Sequence, residues 1–187
     1  MTYNLLYESL KKFYSNTYNR DTIINILNGD YSISLRSIDW FITNYSKKNN
    51  TIYSIYEDEN KLRTFDSSYK FKENINVFHS YKSQLKAYSK KLFDPFCRRD
   101  RIEFELNNNV ILETTLGQLN FFRWAINNLI VNYIKDNKNL IETDMNICLK
   151  TIKKENNPNE RKKRQELSLS ATRGLNMNHI TTYLSFE

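Results

Sequence analysis

Apolar residues in the first fifty positions recur three or four residues apart, which is the spacing of one face of an α-helix. Three segments show this stripe, at residues 6–14, 21–27 and 38–45. Asp21 can cap the second segment, and Asn28-Gly29-Asp30 ends it with residues typical of turns. The sequence therefore predicts three helices in its N-terminal part.

Further along the chain, the apolar pattern changes to a period of two, which is typical of β-strands. The sequence predicts strands at 51–56 and 74–79, with a weaker one at 62–65. From Ser80 the helical spacing returns. Pro95 predicts the end of this helix, because proline disfavours helical backbone in the residue before it.

The clearest local pattern is a predicted β-hairpin at 101–114. Residues 101–106 alternate charged and apolar side chains, residues 107–109 are three asparagines, and residues 110–114 return as the second strand. Asparagine accepts the positive backbone φ of a tight turn more readily than most residues.

Thr115 marks the start of a predicted long helix at 116–135, because Gln118 completes a capping box with it. Apolar residues three and four apart predict a further helix around 141–152, and alternation predicts a terminal strand at 179–186.

Together these elements predict an α+β fold. We expect N-terminal helices, a central antiparallel sheet that contains the hairpin, the long helix packed on that sheet, and the terminal strand 179–186 joining it. The whole chain, 1–187, is predicted to be a single domain with a mobile basic loop at 155–166, where Asn156-Asn157-Pro158 breaks the helical pattern.

We expect this domain to be intracellular. No stretch approaches the roughly 20 apolar residues of a membrane-spanning helix, so we expect no membrane partner. The first residues also lack the basic and apolar regions of a secretion signal. Cys97 and Cys148 have no metal-binding spacing. One disulfide between them is the alternative, but without a secretion signal we expect two buried thiols in a reducing compartment.

Candidate chemistry is sparse in this sequence. Its two histidines, His79 and His179, are predicted at strand ends and lie in no metal-binding or catalytic motif. Glu103 and Glu105 share one face of a predicted strand, which is typical of a solvated outer face. No phosphate-binding glycine loop occurs among the three glycines. We predict no catalytic residue, no metal site and no cofactor.

Two basic clusters stand out against a formal net charge of +7. The first contains seven cations, with Asp94 and Asp100 as its acidic residues, and its lysines at 82, 86 and 90 are predicted to form a ridge along one helix. The second includes a basic tetrapeptide in the predicted loop. The candidate nucleic-acid-binding residues are Lys82, Lys86, Lys90, Lys91, Arg98, Arg99, Arg101, Arg161, Lys162, Lys163 and Arg164.

Such clusters attract phosphate backbones, with binding that is salt-sensitive and largely independent of sequence. A solvated charged face is the alternative interpretation, and the AT-rich codon bias suggested by abundant Lys, Asn, Ile and Tyr could supply much of the lysine. The tetrapeptide 161–164 also resembles a nuclear-localisation signal.

Three stretches of the chain, Ser80 to Ile102, Thr114 to Ile126 and Ile180 to Phe186, together resemble an uncharacterised protein family. The family belongs to nucleocytoplasmic large DNA viruses, the giant viruses and their algal-virus relatives. The resemblance covers roughly residues 38–186. It implies expression in an infected cell, in the host cytoplasm or nucleus or in the virion, and it carries no catalytic role onto any position.

Three functions follow as hypotheses. The first is a non-enzymatic viral accessory protein that binds DNA or RNA through the basic clusters. The second is a virion structural or scaffold protein that acts by protein–protein contacts and whose positive charge matches an acidic viral protein or the packaged genome. The third is a metal-dependent, nuclease-like enzyme whose site is assembled from residues scattered along the chain.

Overall fold

The N-terminal region is helical where the apolar stripes predict it. The computed structural model describes residues 3–28, 33–97, 100–107, 110–155 and 177–178. In this part of the chain the first helices are α1 (Tyr3–Tyr14), α2 (Thr17–Asn28) and α3 (Leu35–Trp40), followed by a π-helical turn (Phe41–Tyr45) and α4 (Ser46–Lys48). Ser34 caps α3 by accepting a hydrogen bond from the backbone N–H of Ser37.

The first sheet is antiparallel and has three strands in the order β2-β1-β3. Its strands are β1 (Ile52–Glu57), β2 (Arg63–Thr64) and β3 (Lys70–Asn76). Ile55 and Ile75 are buried on its inner face, whereas Phe71 lies exposed. The predicted strands at 51–56 and 62–65 are thus confirmed in outline.

The prediction of a strand through 74–79 is wrong for its last three residues. Helix α5 (Val77–Ala87) begins directly after β3, because the side chain of Asn76 accepts a hydrogen bond from the backbone N–H of His79 at 3.0 Å. This cap satisfies a donor that a helix start leaves unpaired. His79 therefore lies in the first turn of a helix and not at the end of a strand.

The predicted end of this helix before Pro95 is also wrong. The helix stops at Ala87, where Tyr88 turns to extended backbone, and a separate 3₁₀ turn follows at Lys90–Leu92. Tyr88 lies partly buried against the core, and its ring stacks on that of Phe93 with centroids 6.1 Å apart. The chain leaves the helix to bury these aromatic groups.

The predicted hairpin is confirmed. Strands β4 (Ile102–Asn107) and β5 (Val110–Thr114) pair antiparallel, and β5 also pairs with the two-residue strand β6 (Met177–Asn178). The α+β class is likewise confirmed, with the strands divided between two small sheets rather than gathered in one. The predicted strand 179–186 and residues 156–166 of the predicted loop lie outside the described residues.

The predicted long helix 116–135 is interrupted. It consists of α6 (Leu116–Asn127) and α7 (Ile130–Asp136), and α8 (Lys138–Glu155) follows. The break is at Leu129, which has a left-handed backbone with φ of 53°. A left-handed residue ends a helix because it turns the chain out of the helical path, and glycine usually occupies it. Here the residue is a leucine whose side chain is buried.

Helix α6 lies at the centre of the core, where it packs against the 3₁₀ turn at Lys90–Leu92, α1, α7 and α2 more extensively than against the hairpin. The hairpin is linked to α1 by Phe104, whose buried ring meets the rings of Tyr7 and Tyr14 edge to face. The Tyr14 hydroxyl donates a buried hydrogen bond of 2.8 Å to the backbone carbonyl of Leu119. Its burial raises the pKa of Tyr14. Among the described helices, none combines the length and apolarity needed to cross a membrane.

Gly117 is required for a close approach between α6 and the 3₁₀ turn. A Cβ at this position would lie 2.6 Å from the backbone carbonyl oxygen of Lys91, well inside van der Waals contact. The backbone N–H of Asp94 also donates to the carbonyl of Gly117. The two segments therefore meet backbone to backbone.

We predict that Gly117→Ala lowers the free energy of unfolding by about 1–3 kcal/mol, the usual cost of overpacking a core. The gain in helix propensity of about 1 kcal/mol is too small to offset a clash with main-chain atoms. Urea denaturation measures the change. Asn146→Ala on the exposed surface of α8 is the matched control, and we expect no loss there. Equal stability of the two variants would contradict the close approach.

Candidate nucleic-acid interface

Two of the predicted cations lie together on the surface of α5. Lys82 and Lys86 are both exposed and are four residues apart, so they share one face of the helix. Lys90, the third member of the predicted ridge, lies in the 3₁₀ turn beyond the end of the helix. The prediction of a three-lysine helical ridge is therefore wrong, because the helix ends at Ala87.

Two other predicted cations are paired with carboxylates. Lys91 contacts Asp100 at 2.9 Å, and Arg101 contacts Glu113 across the hairpin at 2.8 Å. Their positive charge is largely compensated locally, which makes them weaker candidates for phosphate binding. The remaining predicted cations, Arg98, Arg99, Arg161, Lys162, Lys163 and Arg164, lie outside the described residues.

The aromatic ring of Phe78 is close to lysines from two helices. The Nζ atom of Lys82 is 5.6 Å from the ring centroid of Phe78, one turn earlier on α5. The Nζ atom of Lys47, from α4, is also 5.6 Å from that centroid. Each contact is a cation–π interaction, typically worth about 0.5–1 kcal/mol at exposed sites. The Phe78 ring remains partly exposed.

A short network of hydrogen bonds holds α4 next to α5. The side-chain amide of Asn76 donates to the Asn50 side chain at 2.9 Å, and the backbone N–H of Val77 donates to the carbonyl of Thr51 at 3.2 Å. The residue that caps α5 is therefore also bonded to the loop that follows α4. This geometry brings Lys47 to the ring of Phe78.

We call Lys47, Phe78, His79, Lys82 and Lys86 the α5 basic patch. Among the described residues, no carboxylate lies within 4 Å of its three lysines, and α5 itself contains no acidic residue. The exposed ring of His79 lies 6.0 Å from the Phe78 ring, centroid to centroid. The patch thus combines uncompensated positive charge with an aromatic surface.

The neighbouring Lys48 is different, because it pairs with Asp144 of α8. Asp144 is largely buried and accepts a second hydrogen bond of 3.1 Å from the indole N–H of Trp40. The hydrogen bond from Lys48 and, to a lesser degree, that from Trp40 lower the pKa of Asp144 despite its burial. Lys48 therefore joins α4 to α8 and does not belong to the patch.

Sequence patterns did not identify Lys47, Phe78 or His79 as site residues. The alternation at 74–79 predicts Phe78 and His79 in a strand, and Lys47 lies thirty-one residues before Phe78 in the sequence. The available signal was Asn76, a favoured helix-capping residue directly before the helical spacing of 77–87. A helix capped by Asn76 places Phe78 and Lys82, which are four residues apart, on the same face.

The phenol of Tyr81, on the same helix as the patch, is packed against the core. Tyr81 packs between Phe93 and Trp124, and its burial, followed by the charges of Asp39 and Asp94, raises its pKa to about 12. Cys97 and Cys148 are both half-buried and are not joined in a disulfide. Within the described ranges, no three His, Cys, Asp or Glu side chains are grouped so that they could hold a metal ion.

Comparison with known proteins gives a family and one curated relative. A family model described as a family of unknown function, DUF7197, matches residues 2–177. The uncharacterized protein L507 of Acanthamoeba polyphaga mimivirus is 40% identical over 154 residues, which cover 80% of this chain and 54% of that protein. The chain thus spans about half the length of this relative. The expected resemblance to an uncharacterised giant-virus family is confirmed, and no solved structure matches the chain.

The lowered pKa of Asp144 predicts a pH-dependent contribution to stability. A carboxylate whose pKa is depressed by folding stabilises the protein above its unfolded pKa, near 3.8, and loses that contribution as the pH falls through the folded value. We expect Asp144→Asn to be less stable than the wild type at pH 7. The difference should shrink as the pH falls below about 4. Urea denaturation of both proteins at pH 7 and below about pH 4 measures the difference in stability. A difference that does not change with pH would contradict the stabilising role of the Asp144 carboxylate.

Proposed function

The chain belongs to the DUF7197 family, whose function is unknown, and we propose that it is a non-enzymatic viral accessory protein that binds nucleic acid through the α5 basic patch. The observation that carries the proposal is the convergence of Lys47 and Lys82, from two different helices, on the partly exposed ring of Phe78. Neither lysine has a carboxylate partner among the described residues.

The electrostatics of the patch favour an anionic partner. Like charges at positions i and i+4 of a helix destabilise it by a few tenths of a kcal/mol, and Lys82 and Lys86 form such a pair. Lys47 adds a third positive charge next to Lys82. A phosphate backbone near these ammonium groups relieves their repulsion and releases counterions, which makes the binding salt-dependent.

The aromatic ring favours unpaired bases. A base can stack on an exposed aromatic side chain only when it is not already stacked and paired within a duplex, and such stacking accepts any base. The ammonium groups of Lys47 and Lys82, each 5.6 Å from the centroid of the Phe78 ring, are near enough to hold the phosphates that flank a base at this ring. We therefore propose a single strand, DNA or RNA, as the preferred form, with little dependence on its sequence.

The alternative is a scaffold protein whose patch contacts an acidic viral protein. Such a contact uses the same lysines, but it has no need of a stacking ring. The two proposals differ in what Phe78 contributes. They can therefore be separated by variants that change charge and ring independently.

We expect Lys82→Gln combined with Lys86→Gln to weaken binding to a mixed-sequence single strand. The slope of log affinity against log salt concentration should fall by about 1 for each lysine that contacts a phosphate. Fluorescence anisotropy at several salt concentrations measures both quantities. Lys12→Gln, an exposed lysine at the end of α1, is the matched control. An equal effect of the control and the double variant would refute the patch as the interface.

Phe78→Leu should separate stacking from charge. It keeps an apolar side chain and leaves all three lysines, so duplex binding should be nearly unchanged. Affinity for a single strand should fall by about 1–3 kcal/mol, the usual value of one stacked base. Parallel titrations with single strand and duplex provide the comparison. Unchanged single-strand affinity would remove the ring from the interface and favour the acidic-protein alternative.

A further inference from the structure

A cleft of about 310 Å³ lies between the first sheet and the helices α5 and α6. Its lining includes Arg63 of β2, Glu73 of β3, Gln84 of α5, and Arg123 and Asn127 of α6. Its volume is at the lower end of the range for small-molecule sites. The cleft is strongly polar, and it is formed by elements that are distant from one another in the sequence.

The guanidinium of Arg123 is held in this cleft by three neutral groups. It donates to the Ser9 hydroxyl at 2.8 Å, to the Tyr88 hydroxyl at 3.4 Å, and to the side-chain oxygen of Asn120. The side chain is partly buried, and no carboxylate lies within 4 Å of it in the described part of the chain. A partly buried cation with no carboxylate beside it favours an anion as its ligand.

The other two charges of the cleft compensate each other. Arg63 contacts the Glu73 carboxylate at 2.8 Å, and its guanidinium also donates to the backbone carbonyl of Asn127 at 2.8 Å. The pair contributes no net charge to the cleft. The net charge of the lining is therefore that of Arg123.

Two of the carboxamides that line the cleft, those of Gln84 and Asn127, are available to a ligand. The side chains of Gln84 and Asn127 have no hydrogen-bond partner among the residues described, and each offers one acceptor oxygen and an amino group with two donor hydrogens. Such groups can bond the edges of a nucleobase, which present the same alternation of donors and acceptors. The cleft thus offers a cation at one place and neutral hydrogen-bonding groups at others.

We propose that this cleft binds a nucleoside monophosphate, with its phosphate on Arg123 and its base on the carboxamides of Gln84 and Asn127. The bonds to Ser9, Tyr88 and Asn120 use three of the five guanidinium N–H donors, which leaves that of Nε and one of Nη1 to donate to phosphate oxygens. The site is separate from the α5 basic patch, since Gln84 lies two residues from both Lys82 and Lys86 and so faces the other side of the helix. It does not depend on nucleic-acid binding.

The test is calorimetric titration of the full chain with AMP, GMP, inorganic phosphate and adenosine. We expect a monophosphate to bind most tightly, inorganic phosphate more weakly, and adenosine weakest. Arg123→Gln should lower affinity for the monophosphate at least tenfold. Gln84→Ala should lower it about threefold or more while leaving the affinity for inorganic phosphate unchanged. Adenosine binding as tightly as AMP, or no saturable binding at millimolar concentrations, would overturn the proposal.

Two further variants separate loss of binding at this site from loss of folding and from failure of the basic patch. Arg123 also joins α1 to α6 through Ser9, so if Arg123→Gln does not fold, Arg123→Lys retains the charge and loses the separate N–H donors of the guanidinium. We expect it to weaken monophosphate binding as well, and unchanged affinity in both Arg123→Lys and Gln84→Ala would overturn the site. Lys86→Gln is the matched control. It should bind the monophosphate normally even if it loses oligonucleotide affinity, which separates failure of this site from failure of the basic patch.

Discussion

Burial of nearly every side chain of α6 is the constraint on which the rest of the structure depends. A polar group in that position has to be hydrogen-bonded inside the protein, because an unpaired one costs several kcal/mol. Gln118 donates to the carbonyl of Pro95 at 3.0 Å, and Asn120 donates to that of Leu92 at 2.8 Å. Trp124 donates to the Ser80 hydroxyl at 3.0 Å. Each bond fixes a neighbouring segment.

These bonds determine where the candidate sites lie. Ser80 belongs to α5, so the bond from Trp124 holds this helix against the core with its lysines outward. Arg123, on the same helix as Trp124, is held by contacts with α1 and with the segment after α5. The basic patch and the cleft are therefore two surfaces that depend on one buried helix, although they share no residue.

Much of the fold could be predicted from the sequence, because periodicity reports which face of an element is buried. The N-terminal helices and the hairpin follow it directly. Periodicity gave a wrong prediction at Val77. The alternation of apolar residues continues past Asn76, but Asn76 caps a helix that begins at Val77. Periodicity also failed at Leu129, where an apolar residue in the buried stripe adopts a left-handed backbone that usually requires glycine.

The candidate site was less predictable, since it depends on tertiary contacts. Sequence alone identified Lys82 and Lys86 but could not show that Asp100 and Glu113 compensate Lys91 and Arg101. Nor could it bring Lys47 next to Phe78. Charge in a sequence is additive, whereas charge on a surface depends on which partners the fold places nearby.

The break after α6 has a consequence for how this protein can change in evolution. It leaves the backbone carbonyls of Asn127 and Asn128 free to accept hydrogen bonds from Arg63 and Tyr53 of the first sheet. A backbone carbonyl is the same whichever side chain its residue carries. Docking of the sheet therefore tolerates substitution at position 127 but not at Arg63 or Tyr53. Any restriction on the residue at 127 would accordingly reflect what its side chain meets in the cleft, and not the demands of folding.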